Sequence, residues 1–377
     1  MSGPMRKNIG IIGLGIIGRG VTANLRQKGF HVFVWNRTPR PVPNFVGSPA
    51  ELAEMCDYLQ IFVSDDDALV KTVHQLSGTL APRHVVIAHS TVAPNSMRNA
   101  AKIVEPRGAH FVEAPFTGSK TAAEKGELVY YVAGTDAALQ KARPILEASS
   151  KEIIEIGKLG QATAIKIATN MITAASVQAA AEALGIVRAL GLPLEKFLEA
   201  MRGNASHSAT LAMKMPKMID SDFEPHFSIK HMLKDMQIAN QLGLSHDLEL
   251  GVTAAARDRL VEQVQQGHGE DDYSAVARKY LPDSGSATRE EVESGTQNVE
   301  AHAGEFVLAP EPVASSADLK GPKPQQENGN AAIGEGTMAT SPGEKAEEGT
   351  QSRHGILSRL LRRGKQLLKR TTPSEEA

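Results

Sequence analysis

The sequence predicts an α/β domain on a mainly parallel sheet, then an all-α domain, then a disordered acidic tail that ends in a basic amphipathic helix. Three observations carry this reading. Short apolar runs alternate with helix-like stretches over residues 7–159, the pattern of βαβ units. Strand signals then vanish, and residues 162–190 form an Ala- and Ile-rich run without proline. From residue 283 the chain becomes rich in Gly, Ser, Pro, Glu and Ala and poor in aromatics.

Bulk properties narrow the class. A chain of 377 residues exceeds one ordinary core. The formal net charge of -2 predicts neither a nucleic-acid binder nor an unusually acidic protein. Cys56 is the single cysteine, which excludes an internal disulfide and fits a reducing, cytoplasmic setting. No apolar run is long enough to span a bilayer. Arg6 and Lys7 before the apolar run 9–17 imitate a signal peptide, but glycines break the run and no small-residue cleavage site follows. A buried first strand and a glycine turn explain it better.

The strands fall at residues 8–12, 31–35, 58–63, 85–89, 110–114, 127–133 and 153–156, within a first domain over 1–159. The second domain, 160–282, opens with the run 162–190, long enough for about eight turns at ~3.6 residues each. That run is apolar on nearly all sides, so it belongs in a helical core or in a subunit interface. Segments 194–201, 228–242 and 248–267 continue the helical pattern. Residues 283–351 read as a disordered linker, because they bury too little apolar surface to offset ordering entropy. The basic end, 352–377, places Ile356, Leu357, Leu360, Leu361, Leu367 and Leu368 at helical spacing, a pattern suited to an anionic membrane or an acidic protein partner.

Gly13-Leu14-Gly15-Ile16-Ile17-Gly18 follows the first strand and opens a helix. Gly13 allows the tight turn, Gly15 the approach of a pyrophosphate, and Gly18 close packing of helix on sheet. The helix N-terminus offers N–H groups to phosphates; a glycine turn without a ligand is the plainer alternative. At the end of the second strand the chain reads Asn36-Arg37-Thr38, with no carboxylate to repel a 2′-phosphate. Arg37 is suited to pair with that phosphate, and Asn36 and Thr38 to donate further bonds. This favours NADPH, with NADH the weaker alternative, over a merely solvated Arg37. Val63 and Ser64, at the end of the third strand, are counted with the cofactor site.

Three further segments carry polar groups where a substrate would bind. His89-Ser90-Thr91 and Pro94 lie at a strand end, so the two hydroxyls serve a ligand or cap the helix that follows. In Glu113-Ala114-Pro115-Phe116-Thr117-Gly118-Ser119-Lys120, the turn at Gly118 and Ser119 either exposes N–H groups to a small carboxylate or is an ordinary polar turn. Lys166 and Asn170 project from one face of the long apolar helix that begins after Gly160. Desolvation there would lower the lysine pKa and suit it to proton transfer, whereas a snorkelling lysine is the alternative. Lys230 and Lys234 share a face of a later helix, directed at the cleft or at solvent.

Together these segments resemble the β-hydroxyacid dehydrogenase family, which includes 3-hydroxyisobutyrate dehydrogenases, tartronate semialdehyde reductases and glyoxylate/succinic semialdehyde reductases. The resemblance runs over about residues 7–282. It rests on the glycine loop 13–18, the Ser-Thr-x-x-Pro segment 90–94, the segment 113–119, Gly160 with Lys166 and Asn170, and the pair Lys234-Asp235. It implies a Rossmann-like domain followed by an all-helical domain, with the site in the cleft between them. It implies that Lys166 is the general acid/base, that Asn170 orients the substrate, and that Thr117, Gly118 and Ser119 hold its carboxylate; Ser90, one of the two strand-end hydroxyls, is counted with the substrate residues. It places Thr91 and Lys234 near the cofactor. Gly118-Ser119-Lys120 and Asn36-Arg37-Thr38 look most like the NADPH-dependent glyoxylate and succinic semialdehyde reductases.

The expected activity is hydride transfer between NADPH and a small carboxylated aldehyde or hydroxy acid, in a homo-dimer or tetramer without a metal. The alternatives are an NAD-dependent 3-hydroxyisobutyrate or tartronate semialdehyde type, and a non-catalytic cofactor-sensing module. Some relatives lack the lysine, imine-reducing ones among them, so its presence favours the carbonyl chemistry. The chain departs from the family pattern at His89, usually acidic, at Glu113, usually Asp, in the proline-rich stretch 39–48 where many relatives carry a helix, and in its tail.

Overall fold

A computed structural model describes residues 8–281. The expected linker 283–351 and basic tail 352–377 lie outside the described residues. The first half alternates β1 (Asn8–Ile12), α1 (Ile16–Gln27), β2 (His31–Trp35), α2 (Pro49–Met55), β3 (Tyr58–Ile61), α3 (Asp66–Ser77), β4 (Val85–Ala88), α4 (Pro94–Val104) and β5 (His110–Glu113). It continues with β6 (Phe116–Thr117), α5 (Lys120–Lys125), β7 (Leu128–Gly134), α6 (Asp136–Glu147) and β8 (Ser150–Gly157).

The strands form one sheet in the order β2-β1-β3-β4-β5-β7-β6, with β8 on β7. The first five strands are parallel, as expected of βαβ units. β7 runs antiparallel to β5 and β6, a reversal that the apolar runs do not encode. β3 and β4 are buried at every position because helices cover both faces. Alternation along β1 sends Ile9 and Ile11 into one core with Val21, Leu25 and Tyr130, and Ile12 into the other with Leu52, Leu69 and Met97.

Residues 39–48 form no helix. Val34 and Asn44 to Val46 exchange backbone bonds instead, which lays this proline-rich segment beside β2. The short helix α2 follows, with Ser48 capping it by accepting the Glu51 N–H, while Glu51 reaches back to accept the N–H of Gly47, the residue before the cap.

The second half is helical, with α7 (Gln161–Ala189), α8 (Leu194–Arg202), α9 (Ala209–Ile219), α10 (Ile229–Ser245), α11 (Gly251–Gln265) and a short 3-10 turn over Tyr273–Lys279. α9 goes unrecognised in the sequence because Pro216 interrupts its pattern. Its Lys214 forms a buried ion pair with Asp272, at 2.7 Å, which ties it to the 3-10 turn. One face of α7 enters the core through Ala174, Val177, Ala181 and Leu184. The other leaves Ile172 and Ile186 exposed at 70% and 64%. No helix among the described residues is long and apolar enough to cross a membrane.

Candidate active site

The loop after β1 is built around three glycines with three different constraints. Gly13 has φ 99°, and a Cβ there would lie 2.0 Å from the Phe62 carbonyl oxygen. A Cβ on Gly18 would lie 2.0 Å from the Gly13 carbonyl oxygen. Around Gly15 nothing comes within 4 Å, so that side of the loop is open to a ligand. The N–H groups of Gly15, Ile16, Ile17 and Gly18 have no partner among the described residues, and no acidic side chain stands in the first turn of α1. An open glycine beside four free N–H groups fits a pyrophosphate.

Asn36 takes a structural part in this loop. Its Oδ1 accepts the Leu14 N–H at 2.9 Å, and its Nδ2 donates to the Thr38 carbonyl at 2.7 Å. Arg37 and Thr38 are exposed. The Asp65 carboxyl sits below its ordinary range: partial burial pushes it up, but hydrogen bonds from Ser64 and Ala68 and the charges of Lys234 and Arg37 outweigh that. Asp65 thus lies within electrostatic reach of both cations. Val63 donates its N–H to Ser90 Oγ at 3.0 Å, so Ser90 joins the ends of β3 and β4 rather than capping α4. Ser64 donates to Asp65 at 2.5 Å.

Thr91 receives, on its carbonyl, a hydrogen bond from Lys234 of α10. This bond joins the helical half to the sheet half. Thr117 ends β6 and is partly buried. Gly118 follows with φ 138°. Ser119 then caps α5, its Oγ accepting the Ala122 N–H at 3.3 Å.

Lys166 lies on α7, one turn above Asn170. Burial lowers its pKa to about 8, with Asp235 opposing the shift. No side chain among the described residues is hydrogen-bonded to its ammonium. Asp235 is completely buried. Its two oxygens accept from Asn170 Nδ2 at 2.6 Å and from Lys234 Nζ at 2.7 Å. Lys166, Asn170, Lys234 and Asp235 are therefore one electrostatic group spanning α7 and α10. Asp235 is the member that sequence reasoning missed as a site residue; its adjacency to Lys234 was the available signal. Lys230 pairs instead with exposed Glu270.

The two departures on the sheet side have different fates. His89 is buried and stacks on Phe62 at 4.3 Å between ring centres. Its ring nitrogens face the Ala114 carbonyl and Gln60 Oε1, and burial lowers its pKa to about 3, which keeps it neutral. Glu113 is also buried, and accepts the N–H groups of Gly160 and Thr163 at the start of α7.

Residues 8–157 match the NAD binding domain of 6-phosphogluconate dehydrogenase. Residues 160–280 match the family described as NAD-binding of NADP-dependent 3-hydroxyisobutyrate dehydrogenase. Glyoxylate/succinic semialdehyde reductase 1 of Arabidopsis thaliana is 31% identical over 278 residues, covering 71% of this chain and 96% of the relative. Cytokine-like nuclear factor N-PAC of Gallus gallus is 29% identical over 288 residues, but the alignment covers 74% of this chain and only 52% of that protein. A crystal structure of 3-hydroxyisobutyrate dehydrogenase from Salmonella typhimurium shares the fold, with a TM-score of 0.67 at 22% identity over 73% of this chain and 100% of the other. The family match and the relatives make the chain an NAD(P)-dependent oxidoreductase. The chain belongs to the β-hydroxyacid dehydrogenase family.

Proposed function

We propose that the chain reduces a small carboxylated aldehyde, glyoxylate or succinic semialdehyde in type, with NADPH. One observation carries this reading: Lys166 has a pKa lowered to about 8 and no hydrogen-bond partner among the described residues, while neighbouring Asp235 is already satisfied by Asn170 and Lys234. Its proton is thus held near neutrality and left free for a substrate. The name of the Arabidopsis thaliana relative supports the substrate class.

In this reading the free N–H groups of residues 15–18 hold the pyrophosphate, with Gly13 and Leu14 shaping the loop. Arg37 and Thr38 take the 2′-phosphate, and Asn36 orients them. Val63, Ser64, Thr91 and Lys234 line the path toward the reacting end. The bound cofactor supplies the hydride. Thr117, Gly118 and Ser119 hold the substrate carboxylate, so that distant binding orients the carbonyl carbon. Ser90 supports that edge. Asn170 fixes the substrate oxygen, and Lys166 gives that oxygen a proton as its charge develops. Asp235 keeps Lys166 charged against the pull of burial.

The reading places the first domain at 1–159 and the second at 160–282. It places the protein in a homo-dimer or tetramer, supported by the exposed Ile172 and Ile186 on an otherwise apolar helix. A cytoplasmic setting rests on the lone cysteine. The environment of Lys166 favours catalysis over the non-catalytic alternative. The test is NADPH oxidation with glyoxylate and with succinic semialdehyde, against NAD reduction with 3-hydroxyisobutyrate. Faster reverse turnover with NAD would replace this reading with the dehydrogenase one, and no turnover with any pair would favour the non-catalytic one.

A further inference from the structure

Glu113 stands at the end of β5, four residues before Thr117 and 47 residues before Gly160. Its side chain is completely buried. One carboxylate oxygen accepts the N–H of Gly160, and the other accepts the N–H of Thr163 at 2.5 Å. Gly160 is the N-cap residue of α7, with φ 90° and no capping side chain of its own. Ordinarily a Ser, Thr, Asp or Asn next to the helix supplies this bond. Here the cap comes from the sheet.

A local cap would tie α7 only to itself. A cap planted on β5 also fixes where the helix begins relative to the sheet, and how it is rotated about its axis. Lys166 lies three residues past Thr163, within the next turn. The strand that carries Glu113 runs directly into the loop of Thr117, Gly118 and Ser119. A single side chain thus sits between the loop and the lysine that the proposed reaction must bring together. Arg98 of α4 is the charged group acting on it among the described residues, and favours its ionised form. A Cβ on Gly160 would lie 2.2 Å from Arg98 Nη1, so the junction is closely filled. His89, just past β4 and bonded to the neighbouring Ala114 carbonyl, contributes no charge.

We propose that Glu113 is a positioning residue: its ionised carboxylate sets the placement of α7, and so of Lys166 against the substrate loop, and activity falls on the acid side as this carboxyl takes up a proton. The proposal rests on the reading of Lys166 as proton donor. The chemistry of the acid limb is direct. An ionised carboxylate accepts with both oxygens, whereas a protonated one turns an O–H toward an N–H and loses one cap bond. Burial raises the Glu113 pKa, despite the hydrogen bonds and Arg98, so this happens above the ordinary carboxylate range.

The experiment uses the full chain with Glu113→Gln and Glu113→Asp. The glutamine keeps the shape but sets an amide N–H against a backbone N–H. We expect kcat to fall about tenfold or more in Glu113→Gln, equivalent to ~1.4 kcal/mol of barrier. NADPH affinity, measured by fluorescence titration, should stay within about twofold. The acid limb of the kcat–pH profile should vanish in Glu113→Gln and persist in Glu113→Asp. Hydrogen exchange supplies a readout that needs neither a variant nor turnover: in the wild type, amide protection at Gly160 and Thr163 should drop as pH falls through the same limb. An acid limb that survives Glu113→Gln, or amide protection indifferent to pH, overturns the proposal. Full turnover in Lys166→Ala would instead remove the proton-donor reading, leaving the exchange result to decide whether Glu113 anchors the helix.

Discussion

Lys166 should cost the folded protein stability, and removing it should give some back. A free lysine titrates at 10.5, and burial brings Lys166 to about 8. At ~1.36 kcal/mol per pH unit, the folded state loses about 3 kcal/mol by keeping this ammonium charged at neutral pH. Lys166→Met fills a similar volume without the charge. It leaves no orphan behind, because Asp235 keeps Asn170 and Lys234. The variant should therefore be more stable than wild type at pH 7, by about 2–3 kcal/mol and a Tm gain on the order of 5 °C, while losing about 100-fold or more in turnover. The sign follows from linkage. Below pH 8 the lysine is charged in both states and the full cost is present. Between 8 and 10.5 it is neutral when folded and charged when unfolded, so the cost fades with rising pH. Urea unfolding of both proteins at pH 7, 9 and 10.5 measures the gap. A variant less stable than wild type at pH 7, or a gap that does not narrow toward pH 10.5, would refute the argument.

Arg37→Ala should weaken NADPH by about 1.5–3 kcal/mol, the range for a charge-assisted bond, and leave NADH nearly unchanged; equal losses in paired titrations would show that Arg37 does not read the 2′-phosphate. The glycines should separate fold from function. Gly13→Ala drives a Cβ against the Phe62 carbonyl and should lower Tm sharply, whereas Gly15→Val has room to fold and should lose cofactor binding at a near-native Tm. Ile172→Glu places a charge on the exposed face of α7 and should shift the protein toward monomer in analytical ultracentrifugation; an unchanged mass would place any subunit contact elsewhere.

Much of this protein is legible in local pattern. The spacing of Gly13, Gly15 and Gly18 after an apolar strand needs only neighbouring residues to make sense, and the loop has the expected form. The long run without proline becomes the 29-residue α7, with Lys166 and Asn170 on one helix. Periodicity and backbone φ are properties of adjacent residues, so the sequence expresses them directly. What remained hidden depends on pairs far apart in the chain. Asn170 meets Asp235 across 65 residues, and Glu113 meets Gly160 across 47. No spacing rule announces either pairing. Asn36 read as a phosphate donor from its position; its amide also holds the loop, Oδ1 accepting the Leu14 N–H and one Nδ2 hydrogen going to the Thr38 carbonyl. His89 carries no charge, because the sheet buries it between Ala114, Gln60 and Phe62. The sequence alone determined which segments become strands, glycine turn and apolar helix. Packing alone decided which polar side chains hold the scaffold and which stay free, because a hydrogen-bond partner is chosen by proximity in space and the cost of leaving a buried group unpaired.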